Sequence, residues 1–258
     1  MHDFLDTLAM DAVGTIESGY YGKLTAVQHS KVSLKQAIFD CKTNAVITEI
    51  KSASPSLGTI RQSVNPAEVA RAMQRGGAVG ISVLTEPKHF NGSLSALAQA
   101  REAVRLPILM KDIVLVAEQI EAAAKIGADA VLLIEGLFER KCCEMNVDKM
   151  IAYAHGQGLE VLLETHTAAE FNVALETEAD LIGINNRNLA TLKIDLDTTK
   201  EILQKNGKQE RTVISESGIK SASDLQFLRS CGADAFLIGS SIMTTGDVEA
   251  KVREFVEA

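Results

Sequence analysis

The chain has 258 residues, 46% hydrophobic and 23% charged, which is ordinary for a soluble globular protein and too long for a disulfide-stapled miniature. Twenty-six Lys and Arg against thirty-four Asp and Glu give a net charge of −8, which argues against nucleic acid as a partner, since phosphate-backbone binding draws on clustered cations. No run approaches the ~18 apolar residues that span a bilayer, and the opening MHDFLDTLAMDA carries acids where a secretory signal carries bases, so no membrane contact and a cytoplasmic location are expected.

Residues 1–44 contain two weakly amphipathic stretches, 3–18 and 33–42, joined by a polar segment with glycines. They are expected to be helices packed on the main fold, with a lid role open to them. From residue 45 onward, short β-branched runs alternate with longer stretches of helical period, the pattern of a parallel sheet covered by helices. The expected strands are 45–50, 79–84, 107–111, 130–134, 160–164, 181–184, 212–215 and 235–238, eight in all. Among the intervening helices, one opens at Pro66 and stops at Gly76-Gly77, and another opens at Ala117 and stops at Gly127.

The tripeptides Gly127-Ala128-Asp129, Glu178-Ala179-Asp180 and Gly232-Ala233-Asp234 each precede a strand. Such recurrence marks a repeated αβ unit, in which Gly closes a helix in the left-handed conformation and Ala-Asp leads into the next strand. Eight βα units in roughly 210 residues match a small (β/α)8 TIM barrel, so the expected class is α/β, with residues 1–44 as an N-terminal helical extension. A doubly wound open sheet is the runner-up, without a G-x-G-x-x-G after the first strand to support it. No Pro/Ser-rich linker or charge block divides the chain, so one domain over 1–258 is expected.

In such a barrel the chemistry sits where strands end. The ends read Glu49-Ile50-Lys51, Met110-Lys111-Asp112, Glu164-Thr165-His166, Asn185-Asn186-Arg187, Ser215-Glu216-Ser217-Gly218 and Gly239-Ser240-Ser241. Period-two alternation puts Glu49 and Lys51 on one face, pointing into the mouth, where they would share a pocket with Lys111 and Glu164. A single Lys or Glu at a strand end is more often a solvated rim residue. Four of them together would shift one another's pKa, making a lysine a usable proton donor near neutral pH and a glutamate a usable base. Ser217-Gly218 and Gly239-Ser240 read as a phosphate cup after the last two strands, with Arg187 and Ser54 able to add charge and a hydroxyl.

The five histidines show no H-x-H or H-x-x-x-H pair, so no metal is expected, and His166 is read as a rim histidine. Cys41, Cys142, Cys143 and Cys231 lack C-x-x-C spacing and are read as free thiols. No nicotinamide, flavin or nucleoside-triphosphate motif is present, and no cofactor is expected. The residues point to acid–base work on a small phosphorylated anion.

Seven motifs in order, namely Glu49-Ile50-Lys51 with Ser54-Pro55-Ser56, Ser82-Val83-Leu84-Thr85, Phe90-Asn91-Gly92-Ser93, Leu109-Met110-Lys111-Asp112, Gly183-Ile184-Asn185-Asn186-Arg187-Asn188-Leu189, Ser215-Glu216-Ser217-Gly218-Ile219 and Leu237-Ile238-Gly239-Ser240, resemble indole-3-glycerol phosphate synthase over about residues 45–245. The resemblance implies ring closure of 1-(2-carboxyphenylamino)-1-deoxyribulose 5-phosphate with loss of CO2 and water. It implies Lys111 as general acid, Lys51 as holder of the carboxylate or aid to proton transfer, and Glu164 as stabiliser of the cationic intermediate or dehydration base. Glu49 would orient the lysines and Asn185 the substrate. Ser54, Arg187, Ser217, Gly218, Gly239 and Ser240 would hold the phosphate, and Leu84, Phe90 and Leu132 would line the slot for the aromatic ring.

Departures from the family pattern fall around that ring. Leu57 and Ser52 stand where many members carry basic residues, Ile113 where Phe is usual, and Glu135 where the family has an apolar residue. The alternatives are a paralogue acting on a modified anthranilate-derived substrate, or a non-catalytic phosphate-binding barrel. The expected partner is the small substrate itself, with the chain a monomer or weak homo-oligomer.

Overall fold

Eight parallel strands close into a barrel in the computed structural model, which describes residues 3–54, 58–59 and 65–258. Two helices, α1 (Phe4–Glu17) and α2 (Leu34–Asp40), precede the first strand, β1 (Ala45–Ile50). A small antiparallel hairpin follows, β2 (Ala53–Ser54) with β3 (Gly58–Thr59). Then come α3 (Pro66–Arg75), β4 (Gly80–Leu84), α4 (Leu94–Ala103), β5 (Ile108–Lys111), α5 (Ala117–Lys125) and β6 (Ala130–Ile134). The second half runs α6 (Glu135–Glu139), α7 (Val147–Gly156), β7 (Glu160–Thr165), α8 (Ala168–Leu175), β8 (Leu181–Asn185), α9 (Asp197–Asn206) and β9 (Val213–Glu216). It ends with α10 (Ala222–Ser230), β10 (Ala235–Ile238), α11 (Ser240–Met243) and α12 (Val248–Val256). Each barrel strand pairs with its neighbour in sequence, and β10 pairs with β1 to close the ring.

Alternation along the strands sorts two cores. Ile47, Leu109, Leu162, Leu181, Ile214 and Leu237 fill the barrel interior. Val46, Ile81, Met110, Leu133, Ile182 and Phe236 point outward and pack with helix residues such as Met73, Leu97 and Phe255. The helices begin and end for local reasons. Asn65 caps α3 by accepting from the Glu68 amide, Pro66 fills a first-turn position that needs no donor, and Gly77 leaves the helix at φ 96°. Gly127 and Gly232 make the same exit, at φ 90° and 106°.

The recurrent aspartates have a structural task. Asp129 accepts from the Ile108 amide at 2.9 Å, Asp180 from the Val161 amide at 2.8 Å, and Asp234 from the Val213 amide at 2.9 Å. Each carboxylate thus ties the start of its strand to the start of the strand before, where the ladder leaves an amide free. At the same lower face, Glu160 accepts from the Leu34 and Lys35 amides, seating the N-terminus of α2. Leu34 is wholly buried there, and its Cδ1 lies 2.6 Å from where a Cβ on Gly80 would stand, so a side chain at Gly80 would force Leu34 to move.

At the opposite, upper face lies α1. Asp3 caps it, and Arg140 binds Asp3 and Asp6 at 2.8 and 2.5 Å. Asp11 holds Lys88 at 3.0 Å and His89 at 2.8 Å, pinning the helix to the loop after β4. Tyr21, just beyond, donates to Asp112 at 3.1 Å. The strand starts differ from the sequence expectation by one residue at β4, β5 and β9, and β7, β8 and β9 each run one residue further, to Thr165, Asn185 and Glu216. These polar ends remain in the ladder because their backbones still pair, as Asn185 does with Glu216.

Candidate active site

Above the inner apolar layer the same alternation continues with charged groups. Glu49 follows Ile47, Lys111 follows Leu109, Glu164 follows Leu162, and Glu216 follows Ile214, so all four point into the barrel mouth. They line a cavity of ≈ 640 Å3 beneath α1. Lys111 Nζ lies 2.8 Å from Glu164 Oε2 and 3.0 Å from Glu216 Oε2, while Lys51 Nζ lies 2.6 Å from Glu49 Oε1. Asn185 Nδ2 donates to Glu164 Oε1 at 3.0 Å, fixing that carboxylate from the other side.

The electrostatics follow from this packing. Burial disfavours the ammonium of Lys111, but Glu164, Glu216 and Glu49 outweigh it and raise its pKa above the usual lysine range. Crowding therefore holds the proton on this lysine rather than loosening it, contrary to the expectation from sequence. Burial also opposes charge on Glu164, yet Lys111 and Asn185 hold its carboxyl below the ordinary value. Glu216 bears the cost: burial and the neighbouring Glu164 and Glu49 charges push it up to about 8, Lys111 only partly opposing them. At neutral pH the trio is one ammonium, one carboxylate and one carboxylic acid, and Glu216 is the group brought near neutrality.

Glycines make the room. A Cβ on Gly183 would collide with Glu216 Oε1, and one on Gly239 would stand 2.5 Å from Glu49 Oε1 and 3.0 Å from Lys51 Cε. On the phosphate-cup side, Ser217 and Gly218 both adopt left-handed backbone, at φ 67° and 87°. No described residue accepts from the amides of Ser217, Gly218, Ser240 or Ser241. Arg187 lines the same cavity with its Nη1 buried and without a hydrogen-bond partner among the described residues, and burial lowers its pKa against the pull of Glu49.

The apolar wall comes from Leu84, Phe90 and Leu132, joined by Ile113, Ile134 and Leu189 and roofed by Phe4 and Leu8 of α1. Lys51, Glu49, Lys111, Glu164, Asn185, Arg187, Ser217, Gly218, Gly239, Ser240, Leu84, Phe90 and Leu132 thus share one cavity. The side chain of Ser54, and Leu57 with it, lies outside the described residues. Ile113 lines the cavity, but Glu135 does not; it is buried at the start of α6, among Glu139, Asp148 and Glu170. His166 is a rim residue whose Nδ1 donates to the Asn185 carbonyl at 2.7 Å. Glu216 lies one residue beyond the strand expected at 212–215 and carries no role in the sequence reading; it belongs to β9, where its parity with Ile214 turns it inward. Phe4 and Leu8 carried no sequence signal of their own, since their place depends on where α1 lies.

The match to known proteins is consistent with this geometry. The family model of indole-3-glycerol phosphate synthase matches residues 15–255. The chain belongs to that family. A relative from Methanocaldococcus jannaschii, named indole-3-glycerol phosphate synthase, is 45% identical over 231 residues, covering 88% of this chain and 84% of its own length. One of the same name from Neisseria meningitidis serogroup B is 44% identical over 208 residues, covering 81% and 78%. The barrel is also similar in fold to thiamine phosphate pyrophosphorylase from Pyrococcus furiosus, with TM-score 0.62 at 17% identity over 86% of this chain and 96% of that one. Among the described residues of this family member, no group of three or more His, Cys, Asp or Glu is placed to hold a metal, and no helix is long and apolar enough to cross a membrane.

Proposed function

We propose that the chain converts 1-(2-carboxyphenylamino)-1-deoxyribulose 5-phosphate to indole-3-glycerol phosphate, a decarboxylating and dehydrating ring closure of tryptophan biosynthesis. The observation that carries the reading is the union, in one cavity, of Lys111 between Glu164 and Glu216, the Lys51–Glu49 pair, an apolar wall, and a loop pair whose amides have no partner among the described residues. A phosphorylated sugar on an aromatic carboxylate needs all four.

The phosphate sits against Ser217, Gly218, Gly239 and Ser240, with Arg187 beside it, and the aromatic ring packs on Leu84, Phe90, Leu132 and Ile113 under α1. Lys51 holds the ring carboxylate. The ring carbon that bears the carboxylate forms a bond to the ribulose carbonyl carbon, and the carbonyl oxygen takes a proton from Lys111. An alkoxide is far more basic than an amine, so the raised pKa of Lys111 does not prevent this transfer. The bond to CO2 then breaks, and its electron pair restores the aromatic ring. Glu216 returns a proton to Lys111, which passes it to the new hydroxyl; this leaves as water with push from the nitrogen, giving a cation that Glu164 faces, and Glu164 takes the proton lost from the adjacent carbon to complete the indole. Glu216, poised near about 8, is the group able to return a proton to Lys111 or receive one. Asn185 keeps Glu164 turned toward the substrate.

We read the chain as one cytoplasmic domain, monomeric or weakly homo-oligomeric, acting without a cofactor. The test is indole fluorescence with the carboxyphenylamino substrate, which is clean because the chain has no Trp. Turnover is expected. Its absence, with phosphate binding intact, would return the non-catalytic barrel.

A further inference from the structure

Outward-facing strand residues in this barrel are apolar at Ile182, Ile184 and Val213, where helices cover them. One step further along, the pattern breaks. Asn186 just past β8, Ser215 in β9 and Thr199 in α9 are polar, yet each is at 0% exposure. Polar side chains in an apolar layer are costly unless every valence is filled.

Here they are filled by one another. Asn186 Nδ2 donates to Ser215 Oγ at 3.0 Å and to the Ser217 carbonyl at 3.1 Å. Asn186 Oδ1 accepts from the Thr199 amide at 3.3 Å and from Thr199 Oγ1 at 2.8 Å. The amide side chain therefore uses both donors and both acceptor sites. Since the Thr199 hydroxyl hydrogen is committed to a carbonyl oxygen, the 2.8 Å contact between the two hydroxyls runs from Ser215 to Thr199. The three side chains form a closed ring of hydrogen bonds, and its exit to the active-site loop is the bond to the Ser217 carbonyl.

That carbonyl belongs to a residue that needs holding. Ser217 is a non-glycine at φ 67°, followed by Gly218 at φ 87°, and side chains rarely adopt this conformation unaided. Gly218 cannot take up strain for it by substitution, because a Cβ there would stand 2.6 Å from Ile194 Cγ2. Ser217 and Gly218 line the cavity, whereas Asn186, Thr199 and Ser215 do not.

We propose that Asn186, Thr199 and Ser215 are positioning residues that lock Ser217 in the left-handed conformation and so preorganise the phosphate-binding loop without touching the substrate. The inference deepens the reading of this loop as the phosphate site and rests on it. Preorganised donors bind an anion without an ordering penalty, so the lock acts on affinity rather than on the acid–base groups.

The experiment measures competitive inhibition by inorganic phosphate alongside KM and kcat. Asn186→Ala is expected to raise the phosphate inhibition constant and KM about tenfold, the equivalent of one lost charge-assisted hydrogen bond, with kcat far less affected. Ser217→Gly adopts the required conformation freely, so adding it to Asn186→Ala is expected to recover most of that loss, leaving the double variant close to Ser217→Gly alone. Where Asn186→Ala fails to fold, Thr199→Val removes one hydroxyl at constant shape and Thr199→Ser restores it, with phosphate affinity following the hydroxyl. Unchanged phosphate inhibition in a folded Asn186→Ala or Thr199→Val variant overturns the proposal, as does strict additivity with Ser217→Gly. If phosphate fails to compete even in the unmodified chain, the reading of the loop falls, and the lock with it.

Discussion

Lys111→Ala separates the acid–base centre from the rest of the site. Its ammonium is held at 2.8 and 3.0 Å by two carboxyls that are themselves 3% and 1% exposed, so the change removes the only cation among the described residues in direct contact with either. Truncating one partner of a buried ion pair typically costs about 3–5 kcal/mol. The lower end applies here, because Glu216, pushed up to about 8, already carries a proton at neutral pH and only Glu164 is left as an unpaired charge. In a chain of this size that is roughly 5–10 °C in Tm. Catalysis should suffer more: loss of a general acid lowers kcat by about 10²- to 10⁴-fold. Phosphate inhibition should stay within a factor of about two, since a change of a few tenths of a kcal/mol is all that a residue outside the cup should cause. Lys111→Arg distinguishes charge from proton transfer, because guanidinium keeps the pairing but does not give up its proton. It should recover most of the Tm and little of the rate, read by indole fluorescence and thermal melts. Turnover within tenfold of the unmodified chain for Lys111→Ala, or full recovery of rate by Lys111→Arg, would refute the assignment of Lys111 as proton donor.

Three further outcomes follow from other parts of the molecule. Burial, aided by Glu170, Glu139 and Asp148, raises Glu135 to about 7 from an ordinary 4.5, so its contribution to stability is present at low pH and fades as pH rises through about 7. Glu135→Gln, whose amide has no charge to bury, should therefore flatten the decline of Tm between pH 5 and pH 8, and an unchanged slope would remove Glu135 from the account. Tyr21→Phe deletes the phenol donor to Asp112, a carboxyl that burial raises to about 6; urea titration should show a loss of about 1–2 kcal/mol, larger at pH 8 than at pH 5, when Asp112 has taken up its proton. Gly183→Ala drives a methyl into Glu216 Oε1, so kcat should fall at least about tenfold with phosphate inhibition preserved, whereas a fully active variant would mean Glu216 need not stand where it does.

The eight strands were legible because their apolar runs are punctuated by glycines and capping residues that have local causes, as at Asn65-Pro66 and Gly76-Gly77. Parity along β1 was enough to aim Glu49 and Lys51 into the mouth. The same rule applied to β9 would have aimed Glu216 there, but a Ser-Glu-Ser-Gly string reads as loop chemistry until the pairing of Asn185 with Glu216 shows that the strand continues. The repeated Ala-Asp was visible, while its purpose, tying the amide of a strand about twenty residues earlier in the chain, depends on strands lying side by side. Tyr21 was beyond reach: its partner is 91 residues away, and nothing local in a Gly-containing connector sets it apart. The direction of the Lys111 shift was beyond reach for a related reason, since it is the net of burial against Glu164, Glu216 and Glu49, whose distances only the closed barrel sets.

The carboxylates at the two ends of this barrel differ in how they are crowded. At the lower face Asp129, Asp180, Asp234 and Glu160 accept from backbone amides whose positions the fold fixes, and the aspartates also pair with basic side chains, Asp129 with Arg101 and His29, Asp180 with His155 and Asp234 with Lys208. Their charges are spent on joining elements. At the upper face Glu49, Glu164 and Glu216 face lysines, an asparagine and each other, partners that can exchange a proton or turn toward a substrate. Glu164 and Glu216 share the Lys111 ammonium, so protonation of one is coupled to the other. Exchanging the two environments would cost the lower face its seams and the upper face its chemistry, even with composition unchanged. What makes one end of the barrel a candidate catalyst and the other a foundation is therefore the sharing of Lys111 by two buried carboxyls at the mouth of an open cavity, a crowding that the lower-face pairs do not have.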